Sequence, residues 1–382
     1  MKKASTLFVA MMLSAGMAFA QSNDASITQE GDDHSATIEQ IGLDNAAYVD
    51  QTDGGSNGDA TAEVSQQGDN NSVNLRQRAF YGFPDQSDAT ITQIGNNNRV
   101  QGTSASSAFY QNQPGGILDV YMNGDNNKLY SLRTEAQKNG NEFLLDITGS
   151  DNNVGMKQEF STADVDISGD QNDVTLSQLS HGANWDQSLY SSATVSLTGD
   201  ENDVSVDQNG VAHDASVSVG PYASNMNIVS IDQIGDANDA SFSVQMGDAN
   251  DVDIAQDGSA NYSEYSVKYG SSNMITADIS GVGNRTRLGI DAGWGSMSSG
   301  NILSVTKTGD NNYLSGSIEG SSNTVTVLQD GTGNRIGTSW YTNDGINISG
   351  SSNMVDISQM SDNNSASVSV TGSNNSATIH QN

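Results

Sequence analysis

Glycine followed three residues later by asparagine recurs along nearly the whole chain, and this recurrence limits the fold more than any other feature. In the centre the pairs are Gly235-Asn238, Gly247-Asn250, Gly258-Asn261, Gly270-Asn273 and Gly281-Asn284, a step of 11 or 12 residues. The pair returns earlier at Gly42-Asn45, Gly54-Asn57, Gly68-Asn71, Gly95-Asn98, Gly124-Asn127, Gly149-Asn152, Gly169-Asn172 and Gly199-Asn202. Later it stands at Gly309-Asn312, Gly320-Asn323, Gly331-Asn334, Gly350-Asn353 and Gly372-Asn375. Between pairs the chain alternates: Val73, Leu75 and Gln77 follow Asn71 at every second position, and Val355, Ile357 and Gln359 follow Asn353. Period two specifies strands with these residues on one face. Gly supplies the positive φ of a tight turn and Asn satisfies the turn's backbone groups, so each unit is a strand and a turn.

An 11-residue strand-turn cannot bury its own apolar face, but two can face each other and successive pairs can stack in register. The expected fold is therefore all-β: a β-solenoid of stacked two-strand coils, built from 11-residue half-repeats. Each coil takes roughly 22 residues and rises about 4.8 Å. Inward Gln and Asn then lie above their own kind and form amide ladders, which places polar groups inside without leaving them unpaired.

Composition agrees with a fold held by a repeated backbone pattern. Only 34% of the 382 residues are hydrophobic and there is no cysteine, so neither a large oily core nor disulfides can stabilise the chain. Disorder is the competing reading for so polar a chain, and the regular alternation opposes it. A formal charge of -32 sets the chain against nucleic acid, whose phosphates it would repel. Lys2 and Lys3 precede an apolar run from Leu7 to Met17 and then Ala18-Phe19-Ala20, the pattern of a secretory signal peptide over 1-20. The solenoid is expected over 21-382, as one continuous stack or as two with 291-300 as the candidate break.

The spacing Gln40-x-Gly42-x-x-Asn45 followed by Gln51, and Gln66-x-Gly68-x-x-Asn71 followed by Gln77, resembles the curlin repeat of bacterial curli subunits, S-x5-Q-x-G-x-x-N-x5-Q. Gln29-x-Gly31 and Gln233-x-Gly235-x-x-Asn238 keep the spacing, Gln256, Gly258 and Asn261 stand in the same phase, and Gly372 to Gln381 looks like a terminal repeat. The chain is longer and more acidic than a typical curlin subunit, shows no Gly-rich leader after Gln21, and carries His34 and Ser361 where a turn Asn and a turn Gly are expected. The resemblance implies a secreted, extracellular functional amyloid. Such a protein is a fibre subunit or nucleator that supports adhesion and biofilm matrix. Its implied partners are itself or other curlin-repeat subunits, together with an outer-membrane secretion pore and its accessory factors.

Marker spacing is irregular in the first half, reaching 27 residues from Gly68 to Gly95 and 36 from Gly199 to Gly235. If one edge always carries the Gly-Asn turn, the excess falls on the opposite edge. It brings aromatics there: Tyr81, Phe109-Tyr110, Trp185, Tyr222, Trp294 and Trp340. Such residues suit stacking on polysaccharide or lateral contact with another fibre, or they cover the solenoid's own edge. A soluble adhesin that binds polysaccharide through them is the alternative function.

Enzyme chemistry finds little support. Gly-Asp-x-Asn at Asp125, Asp170, Asp200, Asp236, Asp248 and Asp310 offers hard oxygen ligands that suit Ca2+, although solvated turn aspartates have the same pattern. No cofactor is otherwise implied. His34, His181, His213 and His380 lack metal-ligand spacing and read as exposed or as substituted ladder residues. A β-helix polysaccharide lyase would need a basic cleft group; Arg285 and Arg287 are the candidates, and their alternation reads better as the solvated face of a strand. Catalysis is not expected.

Overall fold

The computed structural model describes residues 22–53, 59–79, 87–112, 117–132, 137–138, 142–159, 161–180, 189–220, 224–292, 297–338 and 344–382. Among these residues there is no α-helix, and successive strands alternate between two parallel sheets. Asp24–Glu30, Ala46–Asp53 and Ser72–Ala79 begin one, called sheet A; Ser35–Ile41, Ala60–Gln67 and Ser87–Ile94 begin the other, sheet B. Sheet A ends on Met354–Gln359 and Ser376–Gln381, and sheet B on Ile346–Ser349 and Val368–Thr371. The expected β-solenoid is the fold that forms.

The 17 strands of sheet A make fifteen rungs, because Arg99–Gln101 with Phe109–Asn112, and Lys128–Ser131 with Gln137–Lys138, each share one. Sheet B has fourteen rungs by the same reckoning, with four of them split. The described stack therefore begins and ends on sheet A. The two sheets are offset by half a rung. Gln51 Nε2, in sheet A, donates to the carbonyls of Ser35 and Ala60, which lie in the two flanking sheet B rungs (3.0 Å each). Gln77 bridges Thr61 and Ser87 in the same way.

Alternation decides the interior. Ala60–Gln67 buries every second residue, and the inward columns Ala47-Val73, Val49-Leu75 and Val64-Ile91 are no more than a few percent exposed. Parallel in-register stacking puts like on like, so each column packs side chains of similar size. The turn glycines are fixed by closeness as well as by φ. Gly68 has φ +117, and a Cβ built on it would overlap the carbonyl oxygen of Gly95 in the next rung. The residue before each turn Asn adopts the left-handed region, as at Asn70, Asn97 and Asn126 (φ 57–60), where Asn is tolerated best.

Two expectations need correction. The insertions do not all fall on one edge. Segments 54–58, 80–86, 113–116, 139–141 and 181–188 join sheet A to sheet B, but 221–223 and 293–296 lie on the opposite connection, from sheet B to sheet A, while 102–108 interrupts a sheet A rung. What is kept along the stack is the turn Asn: Asn227 holds its place above Asn202 although Ser224 stands where the glycine would be. Phe109 and Tyr110 are not loop residues either. Phe109 pairs with Leu75 and is fully buried. Pairing also runs across 291–300, since Met274–Val282 pairs with Ile302–Thr308.

Candidate assembly surface: the ladders and the end rungs

An asparagine ladder runs without a break along the edge that leads into sheet A. It starts at Asn23 and Asn45, passes Asn71, Asn98, Asn127, Asn152, Asn172, Asn202, Asn227, Asn250, Asn273, Asn301, Asn323 and Asn353, and reaches Asn375. Each side-chain oxygen accepts the backbone N–H of the Asn one rung on. Most of the amide groups donate to the glycine carbonyl of the next turn, as Asn71 Nδ2 does to Gly95 O (2.8 Å). The opposite edge carries a shorter ladder from Asn238 through Asn261, Asn284, Asn312 and Asn334 to Asn364. His213 stands at its start, where Nδ1 accepts the N–H of Asn238 (3.3 Å). His34 does the same for Ala60 (3.2 Å). Both occupy ladder positions, and burial pushes the His213 pKa down, which favours the neutral ring that can accept.

Glutamines form the inner columns. In sheet A, Gln29 donates to Gln51, Gln51 to Gln77 and Gln77 to Gln111 (2.8–2.9 Å). The column continues through Gln158, Gln178, Gln208, Gln233 and Gln256, and later through Gln329, Gln359 and Gln381. Between these runs it is broken by Ile279 and Lys307. Lys307 is fully buried, and its Nζ donates to the carbonyls of Arg285 (2.5 Å) and Asn312 (3.4 Å). Desolvation holds its ammonium well below the ordinary lysine range. One rung on, the buried Gln329 Oε1 has no partner. Sheet B carries Gln40, Gln66 and Gln93 only, after which Met122 and Ile147 take the position. Gln158, Gln178, Gln208 and Gln329 were legible from Asn followed six residues on by Gln. Gln111 was not, because 102–108 displaces it.

The remaining candidates separate clearly. Oδ1 of Asp125, Asp170, Asp200, Asp248 and Asp310 accepts the N–H of the equivalent turn residue in a neighbouring rung, as Asp200 does from Asp170 (2.8 Å). They act as an outer ladder, and Asp236 is exposed. Among the described residues no three acidic or histidine side chains gather as a metal site. Arg287 lies 3.4 Å from Glu264 on the outer face of sheet B. Trp185, Trp294, Trp340, Tyr81 and Tyr222 lie outside the described residues. Sequence reading missed the exposed apolar residues in one outward file of sheet A, where Met274 lies beside Ile302, and Ile228 and Met354 follow beyond Asp251 and Thr324, each about half exposed.

The end rungs of the described stack have no further described rung against them. Ile27 occupies an inward position yet is 44% exposed, whereas Val49 and Leu75 in the same column are 2% and 0% exposed. Ala36 and Ile38 at one end, and Ala377 and Ile379 at the other, are only partly buried. Because each Gln donates toward the higher-numbered rung, the columns present amide oxygens of Gln29 and Gln40 at the first end and the amide nitrogen of Gln381 at the last. Three segments match the Curlin associated repeat: residues 20–52, 247–278 and 350–382. The chain carries curlin repeats. Curlin repeats are units of a curli-type structural, amyloid family, and the β-solenoid is consistent with it. No curated protein matches the chain as a whole. Two of the three matched segments are the end coils of the described stack.

Proposed function

We propose that this chain is a secreted structural protein that assembles end to end into curli-like extracellular fibres, supporting surface adhesion and biofilm matrix. It acts there as a subunit or nucleator, with itself or other curlin-repeat chains as partners. Export passes through a curli-type outer-membrane pore, the signal peptide having been removed. One observation carries the reading: inward side chains and both kinds of ladder stop at the two ends of the described stack, with Ile27 the most exposed of the inward apolar residues named above. Unpaired strand edges that continue a repeated ladder are templates for another strand. The polysaccharide-binding adhesin draws no support from the described residues, since its aromatics fall outside them.

Fibre diffraction and electron microscopy on the purified protein test this. Filaments with a meridional reflection near 4.7–4.8 Å are expected. Gly372→Ala is expected to leave a folded monomer but to stop growth at that end. In the rung before, a Cβ on Gly350 would overlap the carbonyl oxygen of Gly372, so a Cβ on Gly372 points at whatever docks next. Persistent monomers across pH and salt, or unaltered growth of the Gly372 variant, would defeat the proposal.

A further inference from the structure

Two copies can meet end to end in either of two orientations about the common axis. In the same orientation, Ser376–Gln381 of one copy meets Asp24–Glu30 of the next, sheet A on sheet A. The described stack overhangs in sheet A at both ends, so Val368–Thr371 and Ser35–Ile41 then stand two rung heights apart, about 10 Å. A gap one strand wide opens in sheet B, with a row of N–H and C=O groups unpaired on each side and the apolar columns wetted. Turning the second copy by 180° about the axis exchanges the two sheets while preserving strand direction. With the half-rung offset, Ser35–Ile41 then lands one rung beyond Ser376–Gln381, and Asp24–Glu30 one rung beyond Val368–Thr371. No gap remains.

We propose that copies of this chain join head to tail with a half-turn about the fibre axis, pairing Ser376–Gln381 of one with Ser35–Ile41 of the next; this rests on the end-to-end assembly proposed above. The side chains agree with the geometry. Ser376-Ala-Thr-Ile-His-Gln381 and Ser35-Ala-Thr-Ile-Glu-Gln40 differ at one position. In register, Ala377 covers Ala36, Ile379 covers Ile38, and Gln381 Nε2 reaches Gln40 Oε1, so the column Gln329-Gln359-Gln381 runs on into Gln40-Gln66-Gln93 of the next copy. The differing position sets His380 opposite Glu39, a base facing an acid, where the same-orientation junction would set it opposite Thr28. The Asn ladders also continue, with Asn364 Oδ1 facing the N–H of Asn23 and Asn375 Oδ1 facing that of His34. On the other sheet Ala366 and Val368 meet Ala25 and Ile27; only Val370 on Gln29 is a mismatch.

The chain has no cysteine, so paired cysteines read the junction directly. Thr37, Ser26 and Thr378 are exposed on outer faces. The two ends of one copy are some fourteen rung spacings apart, roughly 65 Å, which leaves disulfides between copies only. Fibres of Thr37→Cys with Thr378→Cys, oxidised and then denatured, are expected to give a ladder of covalent multimers, and Ser26→Cys with Thr378→Cys to give monomer. The reverse pattern would overturn the half-turn and leave end-to-end growth standing. Diffracting fibres in which neither pair cross-links would overturn it too. If no fibres form, the assembly reading itself fails. A second arm uses charge: His380→Glu is expected to slow growth about fivefold by facing Glu39, and adding Glu39→Lys to restore it. Absence of rescue counts against the pairing.

Discussion

The coils before residue 220 and the coils after it hold register by different means. In the first part the connection from sheet A to sheet B is repeatedly lengthened, and only the opposite edge carries an Asn ladder. Its opening coils compensate with two glutamine columns, Gln29-Gln51-Gln77-Gln111 in sheet A and Gln40-Gln66-Gln93 in sheet B. In the second part both edges carry Asn ladders, while the sheet B interior is apolar (Val244, Val267, Ile290, Ile318, Ile348) and the sheet A column is interrupted. A slip of one residue turns every inward side chain outward. Turn ladders and inner amide columns both forbid that slip, so a coil can lose one if it keeps the other.

The sharpest way to break the comparison is at the turn glycines. Gly68→Ala sits in the first part and Gly281→Ala on the second edge of the other; both have φ above +110 and a Cβ in either would overlap the next rung's carbonyl. Each is expected to destabilise by more than about 3 kcal/mol, measured by denaturant unfolding. A near-neutral Gly281 variant would show the second edge to be dispensable.

Asn172→Ala and Asn284→Ala come next. Asn172 accepts from Asn202 N and donates to Gly199 O; Asn284 makes the same bonds to Asn312 and Gly309. Each substitution orphans a buried N–H, at about 1–3 kcal/mol. The two should differ in reach: hydrogen exchange is expected to quicken over several rungs around Asn172, which has no partner ladder opposite, and only locally around Asn284. Equal spread would refute the redundancy argument.

Lys307→Gln repairs the flaw in the second part. It removes a desolvated cation and offers Gln329 Oε1 a donor, for an expected gain of about 1–3 kcal/mol. Burial lowers the folded-state pKa below the unfolded 10.5, so the wild-type protein should gain stability as pH rises from the lowered value toward 10.5. The variant should lose that gain, and an unchanged alkaline slope would count against the account.

The smallest expected effect is acidic. Burial, then the charges of Asp214 and Glu264, push Asp239 up to about 6 from 3.8. With the folded pKa raised, its stabilising contribution is complete below 3.8 and is lost as pH rises through about 6. The protein should therefore be more stable at pH 4 than at pH 7, with a shallower dependence in Asp239→Asn. Titration of thermal unfolding decides it.

Much of this was legible. Lys307 and Ile279 lie six residues after Asn301 and Asn273, the place of Gln in the regular units of sheet A, so even the broken column could be located by counting. Less legible were Gln111, displaced by 102–108, and the place of Asn227 and Asn301, whose turns have Ser224 and Ser298 in place of glycine. Local spacing marks a ladder residue only while the spacing holds; beyond an insertion, the neighbouring rungs choose the partner.

The sequence by itself determined the unit, its inward face and the parallel like-on-like stacking, because period two, glycine φ and the Asn turn act within a dozen residues. Only the tertiary structure decided that the sheets are offset by half a rung and that the described stack opens and closes on the same sheet. Those depend on how one sheet's amides bridge two strands of the other, a relation between residues far apart in the chain that no local pattern encodes.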